Sequence, residues 1–119
     1  MNGALVHTWR RTVPGRETMG LDVFGRALAY YDELAKEGRI HGHSEFFTVG
    51  GDVGGMVVVT GDMDELRRIE AEETYAQILV EASLVAEGYT AQLMGGGTAE
   101  DVTEGVTNYL QTLTRLGIA

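Results

Sequence analysis

The chain has 119 residues, 17 of them glycine, with 18 acidic against nine basic side chains and no cysteine. A chain this short supports one hydrophobic core, so a single domain over residues 1–119 is expected. A formal charge of −9 opposes nucleic acid and anionic membrane surfaces, and the missing cysteines exclude disulfide scaffolds, thiolate nucleophiles and Cys-ligated metals.

Glycine stands at roughly twice its usual share of about 7%, yet only one proline accompanies it and no three-residue repeat occurs. Collagen-like and Pro/Gly linker readings fail on that. No basic cluster is longer than Arg10–Arg11 or Arg67–Arg68, so neither nucleic acid nor membrane is expected as a partner. The start, Met1 to His7, lacks a basic segment followed by a long apolar stretch, and no apolar run approaches the ~20 residues of a spanning helix. A cytoplasmic location is the expectation.

Ala4 to Arg11 alternates as a strand, and Pro14-Gly15 interrupts it. From Thr18 to Glu37 the spacing of Leu21, Phe24, Leu28, Tyr31 and Leu34 predicts a helix, closed by Gly38 at the position that favours a left-handed residue. Gly20 and Gly25 lie inside it, either for close packing or at the expense of a weak first half. Ile40 to Val49 reads as the second strand, Gly50 to Gly55 as a hairpin connection with Asp52 at its tip, and Met56 to Thr60 as a third strand. Asp62 is placed to cap the next helix, with Glu65 as its reciprocal partner. That helical stretch runs from Met63 to about Ala86 with a break near Glu72-Glu73. The run Glu70, Glu72 and Glu73 reads as a solvated helix face. Tyr89 to Met94 forms the fourth strand, Gly95 to Gly97 a joint, and Thr98 caps an amphipathic terminal helix carrying Val102, Val106, Tyr109, Leu110, Leu113 and Leu116.

The order β-α-β-β-α-β is the split βαβ, ferredoxin-like arrangement, an α+β fold with a four-stranded antiparallel sheet, extended here by a C-terminal helix. Helices on one side leave the other side of such a sheet to water or to a partner. Alternation places Leu5, Trp9, Phe47, Val49, Met56 and Val58 on one face. Ala4, Val6, Ile40, Phe46, Val57 and Val59 take the other. Neither face is polar, which predicts a homodimer through the sheet faces.

In Gly38-Arg39-Ile40, Gly50-Gly51-Asp52, Val57-Val58-Val59-Thr60-Gly61-Asp62 and the stretch from Leu66 through Tyr75 into a Gly-bounded last strand, the chain resembles the dimeric α/β-barrel group of ferredoxin-like proteins. It is most similar there to the YCII-related and antibiotic-biosynthesis-monooxygenase-like members. The resemblance covers nearly the whole chain. It implies two subunits whose sheets close into a barrel, and a group that spans cofactor-free oxygenases, haem enzymes, isomerases and cyclases. The histidine that YCII members carry in the first helix is missing, since no histidine lies between Thr8 and Ile40. Glu72-Glu73-Thr74-Tyr75 stands where their Asp-Pro pair belongs, so the His–Asp site of that subgroup is not expected.

Two constellations carry chemistry. His41, His43 and Glu45 alternate on one face of the second strand, and residues i and i+2 lie ~7 Å apart, a spacing that suits a metal ion. The plain alternative is a set of solvated edge side chains, or side chains that meet a partner subunit. His7 and Trp9 on the central first strand offer an imidazole beside an indole, a base next to a stacking platform for a planar ligand. Tyr30, Tyr31 and Tyr75 are placed to add phenol donors to that ligand pocket. Against this stands ordinary packing, with Trp9 in the core and His7 bonded to a carbonyl.

No Ser-His-Asp order, phosphate loop or dinucleotide fingerprint occurs, and no cofactor is expected. One expectation is a cofactor-independent monooxygenase or isomerase for a hydrophobic aromatic metabolite, with His7 as base and Trp9 shaping the cavity. The other is a non-catalytic dimer that binds a small ligand or serves as an accessory subunit.

Overall fold

The computed structural model describes residues 1–51 and 53–118; Asp52, expected at the hairpin tip, lies outside them. Strands β1 (Asn2–Trp9), β3 (Gly42–Phe47), β4 (Gly55–Asp62) and β6 (Thr90–Gly95) form one sheet in the order β3-β4-β1-β6. All three pairings are antiparallel. Helices α1 (Glu17–Lys36), α2 (Met63–Glu70) and α3 (Glu73–Val85) interleave with the strands, and α4 (Ala99–Arg115) closes the chain. This is the expected ferredoxin-like α+β arrangement, with β1 in the interior of the sheet.

The local signals act as their chemistry requires. Asp62 accepts hydrogen bonds from the amides of Asp64 and Glu65 and caps α2. The Glu65 carboxylate pairs with Arg39 and Arg68 instead of completing a capping box. The helical stretch breaks between Glu70 and Glu73. Gly38, at φ +74°, ends α1 where a side chain would be strained. Gly20 lets α1 come down on the chain before it, since a Cβ there would stand 3.1 Å from Thr12 Cγ2. Gly42 opens β3 in regular register opposite Thr60, without a bulge.

Two features depart from the sequence reading. The first strand ends at Trp9, and Arg11–Thr12 (β2) pairs instead with Ala86–Glu87 (β5) in a small separate ladder. The second departure is the assignment of faces. Leu5 pairs with Val59 and His7 with Val57. Directly opposed residues share a face, so Val57 and Val59 join Leu5 and His7 under the helices. Met56 and Val58 go with Ala4 and Val6 on the outer side. Ile40 precedes β3 and is buried in the helix-side core with Tyr31, Leu34, Leu66, Ile69 and Tyr75. Val49 lies beyond the strand and is fully exposed.

The terminal helix is anchored at its start. Thr98 accepts the Asp101 amide hydrogen bond, and Asp101 accepts one from the Asn2 amide at 3.1 Å. Beyond that turn Val102, Val106, Tyr109, Leu110 and Leu116 stay exposed. The radius of gyration is 16.4 Å, against roughly 13–14 Å for a compact chain of this length. The helix extends from the body, and its apolar stripe is exposed among the described residues.

Candidate active site

β1 alternates, so the odd-numbered residues Leu5, His7 and Trp9 point under the helices. His7 is 2% exposed. Its Nδ1 lies 3.1 Å from the carbonyl oxygen of Val57 on the neighbouring strand. A carbonyl only accepts, so Nδ1 carries the proton and donates. Nε2 is then the bare nitrogen, and it accepts the Tyr75 hydroxyl at 2.7 Å. A second phenol, Tyr31, stands 3.5 Å from the same nitrogen. Tyr89 stacks near the imidazole at a centroid distance of 6.4 Å.

Burial governs the charge states here. It lowers the pKa of His7, against the opposing effect of the Val57 carbonyl, and so keeps the imidazole neutral. Burial also raises the phenols, Tyr31 and Tyr75 well beyond the ordinary tyrosine range and Tyr89 to about 12. The cluster is an uncharged hydrogen-bonding group with one basic nitrogen.

This group forms one end of a cavity of about 200 Å³ enclosed by the sheet, α1 and α3. Its other end is aromatic and aliphatic. Trp9, Phe24 and Phe47 meet one another at centroid distances of 5.7–6.3 Å, and Leu21, Phe47 and Val53 are more than half exposed at the opening. Among the described residues no Asp, Glu, Lys or Arg lines the space.

No protein-family model matches the sequence, and no curated protein is detectably similar to it. Solved structures do match. Two crystal structures of SnoaB, a cofactor-independent oxygenase from Streptomyces nogalater, superpose with TM-scores of 0.64 and 0.55 at 17% identity. The first is a variant with one asparagine replaced by alanine. Each match covers 82% of this chain and 95% of the SnoaB chain. The chain shares the SnoaB fold. At this identity the likeness carries the ferredoxin-like architecture alone and leaves the reaction to be argued from the residues.

Within that fold, His7 and Trp9 both line the cavity, as does Tyr31, while Tyr75 reaches it through its bond to His7. Tyr30 does not contribute. Its hydroxyl donates to Glu72 at 3.4 Å, beside an ion-pair group of Arg39 with Glu65 and Glu72. Glu72 is therefore tied into a network, unlike the solvated face expected of it.

The candidate metal set separates. His43 and Glu45 share the helix side of β3 and bond directly, Nδ1 to Oε2 at 2.7 Å. The other ring nitrogen of His43 meets Asp32 of α1 at 2.6 Å. His41 precedes the strand and is exposed. Among the described residues no three His, Asp or Glu side chains are arranged to hold an ion.

The sequence reading missed Phe24, Phe47, Val57 and Tyr89 at the cavity, and Asp32 at His43. Tyr89 was within reach of it. Its odd number matches Ala91 and Leu93, and Ala91 pairs with His7.

Proposed function

We propose that the chain is a cofactor-independent monooxygenase acting on a hydrophobic aromatic metabolite with an acidic C–H bond, and that His7 is its base. The observation that carries this reading is the buried, neutral imidazole of His7 on the wall of a cavity, with its unprotonated Nε2 bonded to Tyr75 at 2.7 Å and 3.5 Å from the cavity-lining Tyr31. Nε2 removes the proton from carbon as the substrate oxygen takes the place of one tyrosine hydroxyl. The carbanion, delocalised over the ring system, reduces O2 and combines with it to give a hydroperoxide. Loss of water from a CH2 substrate leaves the ketone, so one oxygen atom enters the product and the other leaves as water. Tyr31 and Tyr75 supply hydrogen bonds to the charge that develops on the substrate oxygen. The fold shared with SnoaB supports the same reading. The only asparagines of this chain, Asn2 and Asn108, lie outside the cavity lining, whose polar side chains are His7, Tyr31, Tyr89, Thr12 and the Trp9 indole.

The proposal includes a homodimer formed through the outer face of the sheet, where Phe46, Met56 and Met94 remain exposed, and a cytoplasmic location. The chain has no helix long and apolar enough to cross a membrane among its described residues.

Oxygen uptake with an enolisable aromatic ketone, in the presence of a chelator, tests the assignment. His7→Gln should lower kcat by roughly 10²–10⁴-fold, and Tyr75→Phe should lower it less. Equal rates in wild type and His7→Gln would remove the base from the mechanism. One observation favours a second reading, a non-catalytic ligand-binding protein: Nε2 is already satisfied by Tyr75 at 2.7 Å. Tight ligand binding without oxygen uptake would select it.

A further inference from the structure

The cavity is narrow in what it accepts, in size, charge and direction. Its volume of about 200 Å³ exceeds the ~150 Å³ that encloses a single benzene ring and falls below the roughly 300–1,000 Å³ typical of drug-sized ligands. One substituted ring or two fused rings fill it. Charge is selected against because no ionised side chain among the described residues lines the wall. A carboxylate or ammonium would be desolvated without a counterion, which is far more costly than burying a hydroxyl that finds partners.

Direction follows from the gradient along the cavity. The opening holds Leu21, Phe47 and Val53, all more than half exposed, and the inner end holds His7 and Tyr31, each 2% exposed. Rings pack against Trp9, Phe24 and Phe47, while the His7 imidazole and the Tyr31 phenol wait at the bottom; Thr12 is a further polar side chain on the wall, beside Gly20.

We propose that the cavity takes a neutral aromatic molecule of one or two rings with a hydroxyl or ketone oxygen, bound oxygen-first against His7, Tyr31 and Tyr75. This rests on the cavity being the functional site, as proposed above, and adds to it the ligand class and orientation. Acids of the same ring system are rejected by charge, and three-ring molecules by volume.

The test is isothermal titration of the intact protein with four probes: 1-naphthol, 1-naphthoate, 1-naphthylmethylammonium and anthrone. 1-Naphthol is expected to bind at least about tenfold more tightly than either ion, because only the ions lose hydration without gaining a countercharge, and more tightly than anthrone. Ala27→Phe and Ala82→Phe, which fill the cavity from α1 and α3 independently, should each abolish naphthol binding while thermal melts confirm folding. Tyr31→Phe should weaken naphthol more than it weakens naphthalene. Binding of either ion or of anthrone as tight as that of naphthol overturns the ligand class and leaves the cavity as a site. No binding of any probe, or naphthol binding unchanged in folded cavity-filling variants, overturns the site itself.

Discussion

Two histidines on the helix side of one sheet have their proton affinities shifted in opposite directions by their surroundings. His7 is desolvated, with one carbonyl and two phenols about it, and burial lowers its pKa from the ordinary value near 6.5. Its unfolded form therefore binds a proton more readily than its folded form, so its contribution to stability falls as pH drops below about 6.5. Burial also acts against protonation at His43, but the hydrogen bonds to Asp32 and Glu45 outweigh it and the pKa is raised. Its contribution is complete below about 6.5 and is lost as pH rises through the raised folded value. His43→Gln should consequently flatten the fall of melting temperature on the alkaline side, and His7→Gln should flatten it on the acid side. A melting series between pH 5 and 9 checks both, and an unchanged alkaline limb in His43→Gln would remove the ion-pair account. The short His43–Glu45 link was legible as a spacing of two on a strand. Its third member, Asp32, was not, because it comes from α1 and only the packed fold brings it near.

At the level of elements, the caps and breaks were legible because their determinants are local. Asp62 satisfies two amides of α2, and its replacement by alanine should cost about 0.5–2 kcal/mol in urea unfolding. Gly25 is exposed in α1, and a Cβ there would meet nothing within 4 Å. Gly25→Ala should stabilise the protein by roughly 0.5–1 kcal/mol, and a loss of stability would mean that the first half of α1 bends or opens. The β2–β5 ladder and the faces of β4 were not legible. A two-residue strand has no period to read. A run of three valines fits either face of β4, and only the register Leu5–Val59 decides which valines meet His7. A one-residue error in that register exchanged the inner and outer sets. For the same reason Val57, whose carbonyl fixes the tautomer of the proposed base, could not be singled out beforehand.

At the scale of the molecule, the outer side of the sheet and the stripe along α4 are apolar and uncovered among the described residues. A second copy of the chain seated on the sheet is the proposed solution, and obligate interfaces of this kind resemble a core cut in half. Light scattering should show a dimer at micromolar concentration. Val58→Asp, placed at the middle of the outer face opposite Val6, should shift it toward monomer. A chain ending at residue 97 tests the second surface, and dimerisation unchanged by its loss would assign α4 no part in the contact.

The cavity opens on the helix side of the sheet, whereas the dimer is proposed to form on the other. A four-stranded sheet whose central strands are hydrogen-bonded throughout therefore stands between each binding site and the twofold axis. In the proposed dimer, ligand occupancy in one subunit is separated from the other by this hydrogen-bonded wall. Saturation should thus follow a simple hyperbola with one ligand per chain and a Hill coefficient of about one, and a monomeric Val58→Asp variant should keep the same affinity as the dimer.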